Sequence, residues 1–267
     1  MRLYLKKLAV FFFAGALLLT LSSTAMAGSL TIAVAANVQF AFKDLQSVFT
    51  RETGIDIRTI IGSSGKITAQ VRSGAPFDVF LSADMNYPQT LHKERLASSA
   101  PIVYAYGTLV LWTMSDLDLT PGLKILTDPR VSRVAIANPK LAPYGRAALQ
   151  ALAHYQIADA VRAKVVFGEN VSQVNQYVYS QNVTAGFTAK SVVLSPIMRG
   201  EGHWVEVSQN SYQAIAQGVV ILQHGTDNAE VDCKRFVNFL TSTAARTILA
   251  KYGYGLPSPA NRKESPG

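Results

Sequence analysis

The fold is decided near the start of the chain, where residues 29–66 read SLTIAVAANVQFAFKDLQSVFTRETGIDIRTIIGSSGK. The alternation and β-branched content of Leu30–Ala36 predict a buried strand. Asn37 follows at a predicted helix N-cap, and apolar residues then recur at helical spacing up to Gly54, a residue typical of the position after a helix end. Ile55–Ile61 predicts the next strand, and a glycine-serine turn leads from it into a second helix.

The same alternation of strand and helix continues along the chain. Phe77–Leu81 completes a β-α-β-α-β order, which predicts a parallel sheet with helices on its faces, and therefore an α/β fold. The further predicted strands are Ile102–Trp112, Val134–Ala137, Lys164–Phe167, Thr184–Thr188 and Val219–Leu222. The further predicted helices are Lys66–Ser73, Arg146–His154, Ser172–Ser180 and Asp227–Tyr252.

The chain contains no internal repeat and no low-complexity linker, so we expect two α/β lobes between which it crosses twice. The predicted crossings place residues 28–108 and 212–267 in lobe I, which is discontinuous, and residues 109–211 in lobe II. We expect each lobe to be a mostly parallel sheet flanked by helices. Because ligands bind at the carboxyl ends of strands in such sheets, a ligand site is expected in the cleft between the lobes.

Residues 1–27 have the three parts of a secretory signal peptide. Positive residues are followed by the apolar run Leu8–Leu21 and then by the small-x-small cleavage sequence Ala25-Met26-Ala27. The apolar run is shorter than the ~20 residues that a membrane-spanning helix needs. We therefore expect cleavage before Gly28 and a soluble mature protein outside the inner membrane.

Charge and cysteine content narrow the classes of partner. The formal net charge is +8, but the basic residues are scattered, which argues against nucleic acid as a partner. A positive excess suits an anionic ligand. The single cysteine, Cys233, cannot form an intramolecular disulfide, and we expect it to be buried and inert within a helix.

Four predicted helix starts follow predicted strands and carry small or neutral polar residues. They are Ala36-Asn37, Ser63-Ser64-Gly65, Pro143-Tyr144-Gly145 and Asn170-Val171-Ser172. Free backbone N–H groups and the positive end of the helix dipole make such places candidate anion sites. Each serine or asparagine could serve only as a cap, but hydroxyl and amide groups also donate to anions. The nearest basic residues are Lys66 and Arg146, outside these turns, so we expect neutral donors.

Catalytic motifs are absent from the sequence. It has no G-x-S-x-G, H-E-x-x-H or G-x-x-x-x-G-K-[ST] segment, and its four histidines lack metal-ligand spacing. Asp78 and Asp84 could form an acid–base pair, although a structural carboxylate and a loop cap are the simpler interpretation. An exported hydrolase would need a histidine such as His92 or His203 beside Ser64. We therefore expect a binding protein that has neither catalysis nor a cofactor.

Four segments in combination resemble the periplasmic molybdate-binding proteins of ABC transporters. These segments are T-I-A-V-A-A-N from Thr31, G-S-S-G from Gly62, G-A-P-F-D-V-F-L-S-A-D from Gly74 and N-P-K-L-A-P-Y-G from Asn138. The similarity extends over most of the chain after residue 27. It implies the periplasmic-binding-protein fold, in which two α/β lobes close on molybdate or tungstate as a bare tetrahedral dianion without counter-charged side chains.

The resemblance also implies the ligand-binding residues. They are Asn37, Ser64, Tyr144 and the backbone of Val171, with Ala36 and Ser63 as neighbours of second rank. Many family members have serine at the position of Asn37 and a tyrosine near the position of Thr188, so the implied donor at Asn37 is an amide. The hydroxyl of Tyr144 could replace the donor missing near Thr188.

These observations together predict an extracytoplasmic solute-binding protein. It would capture molybdate, and also tungstate, as a monomer in the periplasm and deliver the ion to an ABC permease. The metal in that oxyanion is the single metal expected. The alternatives are the same fold binding sulfate, phosphate or an organic anion, a sensor that signals to a membrane partner, and an exported hydrolase.

Overall fold

The computed structural model describes residues 28–258, and the expected signal peptide lies outside the described residues. The strands are β1 (Ser29–Ala35), β2 (Asp56–Gly62), β3 (Val79–Ser82), β4 (Ile102–Gly107), β5 (Leu109–Thr113), β6 (Val134–Ala137), β7 (Val165–Gly168), β8 (Ala185–Ala189), β9 (His203–Glu206) and β10 (Ile215–Ile221). The α-helices are α1 (Gln39–Thr53), α2 (Ser64–Arg72), α3 (Asn86–Lys93), α4 (Pro143–His154), α5 (Ala158–Arg162), α6 (Val171–Tyr179), α7 (Lys190–Val193), α8 (Gln223–Leu240) and α9 (Thr243–Lys251). Short 3-10 helices occupy Ala36–Val38, Gly122–Thr127 and Gln209–Ser211.

The strands form two five-stranded sheets of the same design. Their orders are β2-β1-β3-β10-β4 in the first sheet and β7-β6-β8-β5-β9 in the second. In each sheet the first three strands are parallel, and the fourth is antiparallel to both of its neighbours. Four strands of each sheet therefore share one direction. This confirms the predicted α/β fold with two mostly parallel sheets and flanking helices.

The chain passes from the first sheet to the second at Thr108, and it returns between β9 and β10. The proposed lobe I, residues 28–108 with 212–267, thus contains the first sheet, and the proposed lobe II, residues 109–211, contains the second. The names lobe I and lobe II are used in this sense below.

The first β-α unit shows why its sequence positions the site. Leu30, Ile32 and Val34 on β1 are fully buried and pack in one cluster with apolar residues of α1. Gly54 ends α1 in the left-handed conformation, with φ +74° and its N–H bonded to the Thr50 carbonyl at 2.8 Å. This confirms the predicted helix end, since glycine adopts positive φ without steric cost.

Three predictions of local structure are wrong. The strand expected over Ile102–Trp112 is two strands, because β4 and β5 pair in different sheets on either side of Thr108. The helix expected over Asp227–Tyr252 is two helices, because the Ser242 hydroxyl accepts the N–H of Ala245 and starts α9 anew. Asn37 makes no capping bond: it lies inside a 3-10 helix before α1.

Candidate oxyanion-binding site

The carboxyl ends of strands from both sheets surround one cavity between the lobes. The residues that line it are Ala35, Ala36, Asn37, Ser63, Ser64 and Ala83 from lobe I, and Ala142, Pro143, Tyr144, Asn170 and Val171 from lobe II. The cavity volume is about 10 Å³. Sites for drug-sized molecules are roughly 300–1,000 Å³, so this cavity suits only a small ligand such as a simple ion.

Lobe I brings two serine hydroxyls to the cavity at the start of α2. The Ser63 hydroxyl is the N-cap of this helix and accepts the N–H of Lys66 at 3.3 Å. The Ser64 hydroxyl accepts the N–H of Ala83 at 3.0 Å, which ties α2 to the end of β3. A hydroxyl that accepts one bond keeps its hydrogen for another acceptor. Both serines are buried beside the cavity. Each can use its remaining hydroxyl hydrogen to donate to an anion there.

Asn37 is anchored by residues distant in sequence. Its side-chain nitrogen donates to Gln217 Oε1 at 2.8 Å and to the Tyr254 hydroxyl at 3.2 Å. From lobe II, the Ser191 hydroxyl donates to the Asn37 carbonyl at 2.7 Å. Tyr254 lies 3.1 Å from both that carbonyl and the Ser191 hydroxyl oxygen. Both amide hydrogens of Asn37 are thus directed at protein acceptors, which differs from the amide donor expected from the sequence.

Lobe II presents helix starts to the same cavity. Pro143 and Tyr144 form the first turn of α4, and Val171 is the first residue of α6. Backbone N–H groups in a first turn have no acceptor within their own helix. The Asn170 side chain caps α6 by accepting the N–H of Gln173 at 3.1 Å, which leaves the N–H of Val171 available. The positive end of each helix dipole adds to the attraction for an anion.

The Tyr144 hydroxyl lies at the boundary between the lobes, beside β4. A Cβ atom built on Gly107 would lie 2.1 Å from this hydroxyl oxygen, so the close approach requires glycine at position 107. The hydroxyl is buried and has no hydrogen-bond partner among the described residues. Burial raises the pKa of the Tyr144 phenol well above its usual value, so the group stays neutral.

The cavity is electrically neutral apart from its N–H and O–H dipoles. The two basic residues nearest in sequence are both paired across the lobes. Lys66 binds Glu169 at 2.8 Å, and Arg146 binds Asp84. Neither cation belongs to the cavity lining. An anion held here would therefore be stabilised by oriented neutral donors in a water-poor space, where each hydrogen bond is electrostatically stronger than in water.

The structure brings all six sequence-predicted site residues to this one cavity. That these six residues contact a ligand remains a prediction. Thr188 is fully buried, donates to Asn175 Oδ1 and does not line the cavity. The anchoring residues Gln217, Tyr254 and Ser191 were missed by sequence reasoning.

A family model described as "bacterial extracellular solute-binding protein" matches residues 30–255, which is nearly all of the described chain. The chain belongs to this family. The site of this solute-binding protein lies between two sheets of equal design, at the same edge where its polar helix starts converge.

Three similar proteins carry a more specific description. The molybdate-binding protein of Azotobacter vinelandii is 36% identical over 237 residues, covering 88% of this chain and 93% of that protein. The molybdate-binding protein of Rhodobacter capsulatus is 36% identical and covers 90% and 93%, respectively. The solved structure of the Azotobacter vinelandii periplasmic molybdate-binding protein superposes with a TM-score of 0.81 at 30% identity, over 86% of this chain and 100% of that one. The family resemblance found in the sequence is confirmed.

Other chemistry-bearing groups of this solute-binding protein lie away from the cavity. Within residues 28–258, no group of three or more His, Cys, Asp or Glu side chains could hold a metal ion. Cys233 is buried, and burial raises the pKa of its thiol to about 12, which makes it a poor nucleophile. Asp78 accepts the N–H of Thr31 at 2.6 Å and bonds to His224, a structural role. No helix of the described region is both long and apolar enough to cross a membrane.

Proposed function

We propose that this protein captures molybdate, and also tungstate, outside the inner membrane and delivers it to the permease of an ABC transporter. The observation that carries the proposal is the neutral cavity, in which two serine hydroxyls of lobe I face the starts of α4 and α6 of lobe II. The two relatives that are 36% identical, both described as molybdate-binding proteins, support the choice of ion.

A fully ionised tetrahedral oxyanion matches the chemistry of this cavity. The groups that converge on it are donors, and a dianion such as molybdate offers only acceptors. Phosphate carries a proton at neutral pH, which would need an acceptor. Sulfate is smaller, so a rigid set of donors would meet its oxygens at longer distances. Molybdate and tungstate are nearly equal in size, and we expect both to bind.

The arrangement of the lobes supports capture by closure. The cavity has walls from both lobes, so separation of the lobes would expose it to an incoming ion, and closure would complete the donor set. The closed form would then dock on the permease. In this proposal the protein acts as a monomer without a cofactor, and the mature chain begins at Gly28 after export.

The hydrolase and organic-anion alternatives lack a matching feature in the described residues. A hydrolase would need a general base beside Ser64, yet the residues that line the cavity include no histidine or carboxylate. His92 bonds instead to the Ala97 carbonyl, and His203 lies on β9. An organic anion would need more room than the cavity provides. A further alternative is that this fold binds sulfate and not molybdate, and binding measurements in solution distinguish the two ions.

The test is a thermal-shift titration of the exported protein with molybdate, tungstate, sulfate and phosphate at one ionic strength. Ligand at ~1,000 times its dissociation constant should add about 4 kcal/mol of stability, or roughly 8–16 °C for a chain of this size. We expect this shift with molybdate and tungstate and none with sulfate. A shift with sulfate or phosphate alone would reassign the cargo, and no shift with any of the four would refute the proposal. Mass spectrometry of the exported chain tests the expected start at Gly28.

A further inference from the structure

The two lobes are in direct contact at Gly65, in the first turn of α2. Its backbone N–H donates to the carbonyl of Leu141, on the opposite lobe, at 2.9 Å. Gly65 directly follows Ser64, and Leu141 lies three residues before Tyr144. A single hydrogen bond thus connects the helix that carries the serine hydroxyls to the loop that leads into α4.

Neighbouring contacts join the same loop, residues 138–142, to lobe I. The Tyr87 hydroxyl of α3 donates to the Lys140 carbonyl at 3.1 Å. The Arg146 guanidinium binds Asp84, donates to the Pro139 carbonyl at 3.3 Å and lies 5.5 Å from the centre of the Tyr87 ring. The lobes are therefore held together here by several polar contacts, and Gly65 directly follows Ser64, which lines the cavity.

A side chain at position 65 would not fit between the lobes. A Cβ atom built there would lie 2.9 Å from the Cα of Leu141 and 2.8 Å from the Tyr87 hydroxyl oxygen. The tyrosine could move away, but the Leu141 Cα belongs to the backbone of the opposite lobe. The lobes would have to separate by a few tenths of an ångström at this contact, and the hydrogen bond would lengthen with them.

We propose that Gly65 is a positioning residue for lobe closure, and that its missing side chain sets how closely Ser64 and the start of α4 approach each other across the cavity. The inference rests on the proposed function. Hydrogen bonds weaken steeply as they lengthen or bend, so donors held a few tenths of an ångström too far apart cannot all reach one small ion.

The substitution Gly65→Ala separates this role from folding. Position 65 is helical, and alanine is a better helix former than glycine. The Cβ atom meets the opposite lobe only when the lobes are closed, since Leu141 belongs to lobe II. Ligand-free Gly65→Ala should therefore melt at or above the temperature of the wild type.

The experiment measures molybdate binding by stopped flow and lobe closure by small-angle scattering, for the wild type and for Gly65→Ala. We expect at least tenfold weaker binding by the variant, with the loss in a faster dissociation rate and an unchanged association rate, because ions enter the open form. The fall in radius of gyration on adding molybdate should be smaller than in the wild type.

Gly62→Ala is the matched control. Gly62 is in the same turn, but a Cβ atom there would meet only the side chain of Ile67, in its own lobe, at 3.4 Å. This variant should bind within about twofold of the wild type. Wild-type affinity and full closure in Gly65→Ala would overturn the inference while leaving the proposed function intact. Failure of the wild type to bind any of the four anions would refute the proposed function and the inference with it.

Discussion

The two lobes share one sheet design but offer different chemistry to the cavity. Lobe I contributes hydroxyl groups, because Ser63 and Ser64 begin α2 where β2 ends. Lobe II contributes backbone N–H groups from the starts of α4 and α6, while the Tyr144 hydroxyl lies against Gly107. In the proposed function, the same topological position, a helix start after a parallel strand, thus provides an anion donor through the side chain in one lobe and through the backbone in the other.

We expect the largest loss of molybdate affinity when a hydroxyl group of lobe I is removed. Ser64→Ala removes the proposed hydroxyl donor to the anion and also leaves the buried N–H of Ala83 without its partner. A hydrogen bond to a charged group is worth about 1.5–3 kcal/mol, so molybdate affinity should fall roughly 10- to 150-fold by calorimetry. Ser73→Ala, at the exposed opposite end of α2, is the control and should bind normally. Unchanged affinity in Ser64→Ala would show that the Ser64 hydroxyl does not bind the anion.

The next largest loss of molybdate affinity should follow removal of a backbone N–H group of lobe II. Val171 is the first residue of α6, a position where proline is tolerated because its N–H has no helical acceptor. Val171→Pro therefore deletes one N–H with little harm to the helix, and we expect affinity to fall about tenfold. Val171→Ala keeps the N–H and should stay within about threefold of the wild type. Equal losses in both variants would mean that the valine side chain, and not its N–H, supports binding.

A smaller effect is expected from the residues that hold Asn37. Tyr254→Phe removes the hydroxyl that contacts the Asn37 amide, the Asn37 carbonyl and Ser191. Asn37 keeps its 2.8 Å bond to Gln217, so this part of the cavity lining should become more mobile but stay in place. We expect molybdate affinity to fall about three- to tenfold. Tyr252→Phe, which removes a hydroxyl bonded to Asp44 on the surface, is the matched control. A complete loss of binding in Tyr254→Phe would instead indicate direct contact with the ion.

The smallest effect should come from Tyr144→Phe. The Tyr144 hydroxyl is buried without a partner, so removing it costs no hydrogen bond and relieves an unsatisfied polar group. We expect affinity within about twofold of the wild type and an equal or higher melting temperature. A loss above tenfold would mean that the hydroxyl turns into the cavity when the anion binds, as the sequence had led us to expect.

Local sequence patterns were sufficient to predict the helix starts around the cavity. Ser63, Ser64 and Val171 each follow a strand and open a helix, and the carboxyl edge of a parallel sheet brings such positions together. The family resemblance then selected the same positions, together with Asn37 and Tyr144. These predictions required only the pattern of residues that are close together in the sequence.

Tertiary partners could not be predicted in the same way. The crossing between the lobes was predicted near Thr108, but the end of one strand and the start of another there were missed, because apolar alternation does not reveal that β4 and β5 pair in different sheets. The anchoring of Asn37 was missed because its partners Gln217 and Tyr254 lie 180 and 217 residues away along the chain. The position of the Tyr144 hydroxyl depends on Gly107 in the other lobe, which no local pattern indicates.

In the proposed function, a neutral set of donors from both lobes holds a tetrahedral dianion. The most direct test is a crystal structure with tungstate, in which anomalous scattering locates the tungsten atom. We predict one tungsten position in the cavity, with oxygens within hydrogen-bonding distance of the Ser64 hydroxyl and of the backbone nitrogens of Tyr144 and Val171. Tungsten outside this cavity, or an oxygen bound by Lys66 or Arg146, would contradict the account.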